Sequence, residues 1–214
     1  DGINRSVVWF YVTLDTGITA DSDTGTDRYG EEGSSANRQV ALEYGKTVAL
    51  KVNASGGVKG STLSYQWYNT GKPSRDGKID GATSNTYQLS GNGDCAERYC
   101  CEVSDGVTSK VVHFDIKLDT GLKAVSPTGT DMNDYGMTES SAERRVVVKY
   151  GGQMELKVDA SGGAGELSYQ WYDTNEEPIE GATGDKYMLA GTEEISGVEF
   201  SCRVTDGVIS KYVY

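Results

Sequence analysis

Hydrophobic residues in this chain recur at every second position in short runs, and polar, glycine-rich stretches separate the runs. Residues 39–43 and 47–54 alternate, with Val48, Leu50 and Val52 on one face. Residues 63–68 place Leu63, Tyr65 and Trp67 on the inner face, and residues 86–90 and 98–104 alternate likewise. Residues 107–118 set Val112, Phe114, Ile116 and Leu118 on one side. Successive side chains of a strand point to opposite faces, so a period of two marks a strand with one buried and one wet face. Apolar residues at helical spacing are missing. The pattern predicts an all-β chain of antiparallel sandwiches.

The runs repeat. Tyr65-Gln66-Trp67-Tyr68 returns as Tyr169-Gln170-Trp171-Tyr172, and Ala54-Ser55-Gly56-Gly57 as Ala160-Ser161-Gly162-Gly163. Gly81-Ala82-Thr83 returns as Gly181-Ala182-Thr183, with Tyr87 and Leu89 matched by Tyr187 and Leu189. Cys101-Glu102-Val103-Ser104-Asp105-Gly106 matches Cys202-Arg203-Val204-Thr205-Asp206-Gly207. A third, partial copy opens the chain: Val7, Val8, Phe10 and Leu14-Asp15-Thr16-Gly17 line up without a gap on Val111, Val112, Phe114 and Leu118-Asp119-Thr120-Gly121. This predicts residues 1–14 as the final strand of a preceding repeat, residues 15–118 as a complete domain, and residues 119–214 as a second domain whose final strand is truncated. The polar stretches 15–37 and 119–143 share Gly-Thr-Asp and Tyr-Gly landmarks. Long structureless loops are uncommon in compact domains, so they read as ordered segments along a sandwich edge or at a junction, with a flexible linker as the alternative.

Seven or so short strands in about 100 residues, a Trp on the third and Tyr-x-Cys on the sixth make an immunoglobulin-like pattern. Trp67 with Tyr99-Cys100-Cys101 fits it; Trp171 with Phe200-Ser201-Cys202 lacks the tyrosine hydroxyl. The second-strand cysteine of the usual inter-sheet disulfide is replaced by Val52 and Val158, so Cys101 and Cys202 are expected to be reduced, buried and apolar in behaviour. The succession Tyr-Gln-Trp-Tyr, Gly-Ala-Thr-x-x-x-Tyr, Cys-x-Val-Ser/Thr-Asp-Gly and Leu-Asp-Thr-Gly resembles the bacterial immunoglobulin-like repeats of large Gram-positive surface proteins of the gut clostridial type. Such repeats often stand beside leucine-rich repeats. The resemblance implies tandem immunoglobulin-like sandwiches in a secreted, wall-associated protein, and it says little about a ligand.

Charge narrows the partners. The formal net charge of −12 repels nucleic acid and anionic membranes. No apolar run approaches the length of a membrane span. An export signal and an anchor are expected outside these residues.

Candidate chemistry is sparse. Asp21, Asp23, Asp27 and Glu32 have the spacing of an oxygen-ligand loop, but Thr26 stands where an EF-hand needs glycine, and the second repeat has Val125 and Pro127 in place of Asp21 and Asp23. A solvated acidic loop is the expectation. The only histidine, His113, falls on an outward strand face, and no nucleophile, base and oxyanion set emerges. Catalytic, cofactor-binding and metal residues are accordingly expected to be none. Cys95 and Cys100 lack counterparts in the second repeat; Cys100 is expected to point outward, and the pair reads as two free thiols, with a local bridge as the alternative. Lys51 and Lys157 alternate with inward residues, which argues against a buried isopeptide lysine. Trp9, Tyr11, Tyr68 and Tyr172 fall on outward faces and could stack on sugars. The chain therefore reads as a non-catalytic extracellular stalk, spacer or adhesion module, with a carbohydrate-binding module as the alternative. A host protein or glycan is the expected partner class. The chain is expected to be a monomer, able to associate by strand exchange through residues 5–14.

Overall fold

The computed structural model describes residues 9–131 and 144–214, and it is built from strands with one short 3-10 turn at Glu193–Ile195. It divides into two compact units, Asp1–Leu42 with Lys46–Leu118 and Glu43–Gly45 with Asp119–Tyr214.

Among the described residues of the first half nine strands follow: β1 (Thr19–Asp21), β2 (Thr26–Asp27), β3 (Asn37–Glu43), β4 (Thr47–Lys51), β5 (Asn53–Ser55), β6 (Ser64–Tyr68), β7 (Thr86–Ser90), β8 (Arg98–Ser104) and β9 (Ser109–Asp119). One sheet has the order β2-β3-β9-β8-β6. The other layer is β4 paired with β7, continued past Val52 by β5 paired with β1. The hydrogen bonds from His113 N–H to Ala36 O and from Tyr44 N–H to Asp119 O advance together along both strands, so β3 joins β9 in parallel. The remaining ladders of this half are antiparallel.

Between the layers lies one core. Leu50, Val52 and Leu89 meet Val40, Trp67, Cys101, Val103, Val112 and Phe114, all buried. The Trp67 ring lies 5.7 Å from Tyr87 and 5.5 Å from Phe114, and its indole N–H donates to Ser84 O at 2.8 Å. Val52 and Cys101 are wholly buried without a covalent link. An inter-sheet disulfide typically contributes ~2–4 kcal/mol. Burying one large apolar side chain contributes roughly 1.5–3 kcal/mol, so a core of this size replaces the bridge with one or two extra contacts. The Tyr99 hydroxyl accepts from Ala96 N–H at 3.2 Å, fixing the corner before β8. This is an immunoglobulin-like sandwich.

The second half repeats the plan: β10 (Lys123–Val125), β11 (Thr130–Asp131), β12 (Arg144–Arg145), β13 (Gln153–Lys157), β14 (Asp159–Ser161), β15 (Ser168–Tyr172), β16 (Lys186–Ala190), β17 (Ser201–Thr205) and β18 (Ser210–Val213). β13 pairs with β16, β10 with β14, β11 with β12, and β15, β17 and β18 form a three-stranded sheet. Leu156, Val158, Trp171, Leu189, Cys202 and Val204 form its core. The Trp171 indole N–H donates to Gly184 O at 2.9 Å.

The described parts of the two polar stretches belong to their own sandwiches. β1 pairs Thr19 with Ser55, Ala20 with Ala54 and Asp21 with Asn53; β10 pairs with β14 in the matching register. The Gly-Thr-Asp landmark marks a close approach: a side chain on Gly25, at φ +77°, would collide with Gln39 O. The buried Arg38 holds this loop, donating from Nε to Thr24 O at 3.1 Å and from its other nitrogens to Gly25 O and Gly33 O. Arg144 makes the corresponding bonds to Thr128 O at 3.2 Å and Gly129 O at 2.9 Å. The Tyr-Gly landmark of the second stretch, Tyr135-Gly136, lies outside the described residues.

The remaining repeated motifs converge at one end of each sandwich. Asp105 Oδ1 accepts from Val107 and Thr108 N–H at 2.9 and 2.8 Å, and Oδ2 accepts from Val58 N–H at 2.9 Å. Asp206 does the same with Val208, Ile209 and Ala164, at 2.9, 2.8 and 2.9 Å. Thr16 and Thr120 reach these carboxylates from the Leu-Asp-Thr-Gly segments. Gly57 and Gly163, at φ +91° and +94°, pass directly over the aspartates. The Thr108 N–H, then the Thr16 hydroxyl, hold Asp105 well below the usual carboxylate range. For Asp206 burial acts upward, but the bonds from Thr120, Ile209, Ala164 and Val208 prevail and hold it at about 2.

A folded-state pKa below the ordinary 3.8 means that the carboxylate's contribution is complete at neutral pH. It fades as pH drops below about 5 and is lost as pH falls through the folded value. Asp206→Asn is expected to cost the second unit about 2–4 kcal/mol at pH 7, and the difference from the unchanged chain should shrink toward pH 2. Urea denaturation at both pH values measures it; an equal difference at both would show that the charge is not what holds the turn.

Candidate interaction face

The repeated motifs are engaged within each sandwich, and the two units differ most on the outward faces of their sheets. In the first unit that face carries Tyr68, Cys100, Glu102, Val111 and His113 on β6, β8 and β9, with Tyr68, Cys100 and His113 abreast. The Tyr68 hydroxyl donates to Glu102 Oε2 at 3.2 Å and Ser109 Oγ donates to Oε1 at 2.9 Å. Burial, then the Glu102 charge, raises the Tyr68 phenol. Both carboxylate oxygens are thus engaged within the sheet.

The corresponding face of the second unit differs. Tyr172 on β15 and Tyr212 on β18 have ring centroids 6.4 Å apart, and Tyr214 stacks on Tyr212 at 6.2 Å. The Arg203 guanidinium lies over the Tyr172 ring at 5.9 Å. Its Nε is buried and has no hydrogen-bond partner. Arg203 stands where Glu102 stands in the first unit, and Tyr212 and Tyr214 stand where Val111 and His113 do. Three rings and a guanidinium stacked on one of them therefore make this face aromatic where the first unit's is polar. Of these residues only Tyr172 is legible as an outward aromatic from the repeat; Arg203, Tyr212 and Tyr214 are not. Continuing the alternation outward from Val213 would have placed both tyrosines beside it.

The other candidates scatter. Asp21 lies in β1; Asp23 Oδ1 accepts from the Asn53 amide; Asp27 Oδ1 accepts from Tyr29 and Glu31 N–H at 2.8 Å each; Glu32 is exposed. Among the described residues no group of three or more His, Cys, Asp or Glu side chains could hold a metal ion. His113 is outward and half-buried, as its register implies. Tyr68 and Tyr172 are half-buried too, because neighbouring strands shield them. Trp9 and Tyr11 are exposed at 78 % and 95 %, in a segment outside any strand. Lys51 is exposed, and Lys157 pairs with Asp159 at 2.6 Å.

All four cysteines are free, but Cys100 is fully buried although it faces away from the core. It lies on a central strand with Tyr68 and His113 on either side, and these large neighbours cover it. Burial pushes its thiol up to about 11 and those of Cys101 and Cys202 up to about 12.

No family model matches the chain, and no curated protein matches it. Solved structures do. One, described as the structural basis for Dscam isoform specificity, is 14% identical, with 92% of this chain and 45% of that chain covered and a TM-score of 0.40. The N-terminal four Ig domains of Dscam1 isoform 8.4 are 14% identical over 94% of this chain and 47% of that one, at a TM-score of 0.39. A complex of Dpr2 Ig1-Ig2 with DIP-Theta Ig1-Ig3 is 13% identical over 91% and 62%, at a TM-score of 0.37. The chain thus spans about half the length of the first two of these structures.

Because Arg203 Nε is buried without a partner, removing it relieves a desolvated donor instead of breaking a bond. Arg203→Met is expected to leave the second unit's stability within about 0.5 kcal/mol of the original. Thermal and urea unfolding check this, and a loss above about 2 kcal/mol would mean the guanidinium holds the fold.

Proposed function

We propose that the chain is a non-catalytic module of a bacterial surface protein, acting outside the cell as a stalk, spacer or adhesion-type interaction domain. In this reading residues 1–14 complete a preceding repeat, residues 15–118 form one domain and residues 119–214 a second whose last strand is cut short. One observation carries it: the motifs that recur between the units are spent on the fold, whereas the outward faces differ. Asp105 and Asp206, Gly57 and Gly163, Arg38 and Arg144, Trp67 and Trp171 all bind or pack against their own sandwich. Glu102, Val111 and His113 give way to Arg203, Tyr212 and Tyr214. A repeated scaffold with divergent faces suits a chain that extends in series and recognises by surface. The motif resemblance supports the Gram-positive surface setting, and the charge of −12 supports a soluble exterior.

The Tyr172, Tyr212 and Tyr214 ladder favours a second reading, a carbohydrate-binding module, since aromatic faces stack on sugar rings. Glycan and matrix-protein arrays separate the two. The proposed module should retain no free glycan, and an adhesin, unlike a spacer, should retain a protein that Tyr212→Ala releases. Retention of a glycan that Tyr212→Ala abolishes would transfer the function to the second reading.

A further inference from the structure

Of the asparagines in the chain only Asn92 precedes a glycine. It opens the turn between β7 and β8. Gly91 N–H donates to Lys46 O at 2.8 Å and Cys95 N–H donates to Asn92 O at 3.1 Å, so the turn is held on both sides. Within it the Asn92 side chain curls onto its own backbone, where Oδ1 accepts from Asp94 N–H at 3.1 Å. That bond folds the side-chain amide carbon, Cγ, back over the Gly93 nitrogen and draws electrons from it. The Gly93 N–H has no partner among the described residues, and Asn92, Gly93 and Asp94 are all exposed. Nothing shields Gly93, since a side chain there would meet no atom within 4 Å. Asp-Gly pairs in other turns are guarded. The N–H groups of Gly77, Gly106 and Gly207 already donate to the hydroxyls of Ser74, Ser104 and Thr205, at 3.2, 3.1 and 3.2 Å.

We propose that Asn92 is a site of spontaneous covalent modification, converting to aspartate and isoaspartate with water as the only co-reactant. The Gly93 nitrogen gives up its proton to solvent and attacks Asn92 Cγ. The side-chain nitrogen takes up a proton and leaves as ammonia, which closes a five-membered succinimide. Water then adds to either ring carbonyl. Opening the bond from nitrogen to Cγ restores the main chain and leaves aspartate. Opening the bond from nitrogen to the Asn92 carbonyl carbon sends the main chain through Cγ and leaves isoaspartate. Both products carry one more negative charge, but only isoaspartate lengthens the main chain, by one methylene. That length falls inside the turn that Cys95 N–H closes. The bonds next in line are Ala96 N–H to the Tyr99 hydroxyl at 3.2 Å and Ile116 N–H to Glu97 O at 2.7 Å, so isoaspartate loosens the corner before β8. The second unit has Thr192-Glu193 at this place and no counterpart of the site.

Incubating the whole 214-residue chain at mildly alkaline pH, in buffer and in denaturing urea, tests this. Cleavage after Lys78 and Arg98 releases a peptide that holds Asn92 together with Asn85, which precedes Thr86 and serves as an internal reference. Replacing the amide by an acid adds about 1 Da, and fragmentation tells isoaspartate from aspartate. Asn92 is expected to convert in buffer within about tenfold of its rate in urea, while Asn85 stays intact. Protection by the fold of more than about tenfold, or conversion of Asn85 as fast as Asn92, overturns the proposal. Amide exchange tests the consequence against Asn92→Asp, which adds the charge without the methylene. The Cys95 and Ala96 amides of the isoaspartate chain should exchange faster than those of Asn92→Asp, and equal rates overturn the loosening of the corner.

Discussion

A buried carboxylate organises the end of each sandwich. Asp105 and Asp206 each gather three backbone N–H groups from two separate turns and a threonine hydroxyl from a third segment. Burying a charge is costly unless hydrogen bonds replace its water, so the aspartate fixes where all three segments run. The left-handed glycines follow from that position: Gly57 and Gly163 must pass over the aspartate, and Gly56 and Gly162 must pass over Gly17 O and Gly121 O, where no side chain fits. The entry of β1 and β10 beside β5 and β14 depends on the same crossing. Repetition of Asp-Thr-Gly, Ser-Gly-Gly and Asp-Gly is thus one structural requirement written three times.

With the ends fixed in this way, the layers need no covalent tie. Trp67 and Trp171 stand between them, each anchored by its indole N–H and by a glutamine on the same strand, Gln66 to Ile79 O at 2.8 Å and Gln170 to Ile179 O at 2.9 Å. The valines at 52 and 158 fill the space of the absent half-cystine. The first unit adds Phe114 against Trp67 and the Tyr99 corner. In the second unit Phe200 takes the place of Tyr99 and packs on the core without a hydroxyl to bond the corner.

Much of this was legible in the chain. Alternation marked β3, β4, β6, β7, β8 and β9, and the core residues Val52, Trp67, Cys101, Val112 and Phe114, because each has one apolar face. β1 and β10 escaped notice because three residues are too few to show a period; only the backbone ladder makes each a strand. Arg38 was missed because a fully buried arginine contradicts the usual reading of charge as surface, and only the fold reveals the carbonyls that satisfy it. The outward direction of Cys100 followed from the period but its burial did not, because periodicity assigns a face and not the neighbours that cover it. At the outward face, Tyr172 was visible as a repeated residue, whereas Tyr212, Tyr214 and Arg203 break the repeat and so fell outside a comparison built on likeness.

The central claim is that the buried aspartates hold the ends of the sandwiches as firmly as the core holds the layers. Native-state amide hydrogen exchange addresses it at the donors themselves: Val58, Val107 and Thr108 in the first unit, Ala164, Val208 and Ile209 in the second. Amides released only by global opening exchange in the slowest class. Although these six lie in turns, they should exchange with the core amides of their own unit, such as Trp67 and Trp171, and share their dependence on denaturant. Exchange at the rate of ordinary turn amides, independent of denaturant, would contradict the account.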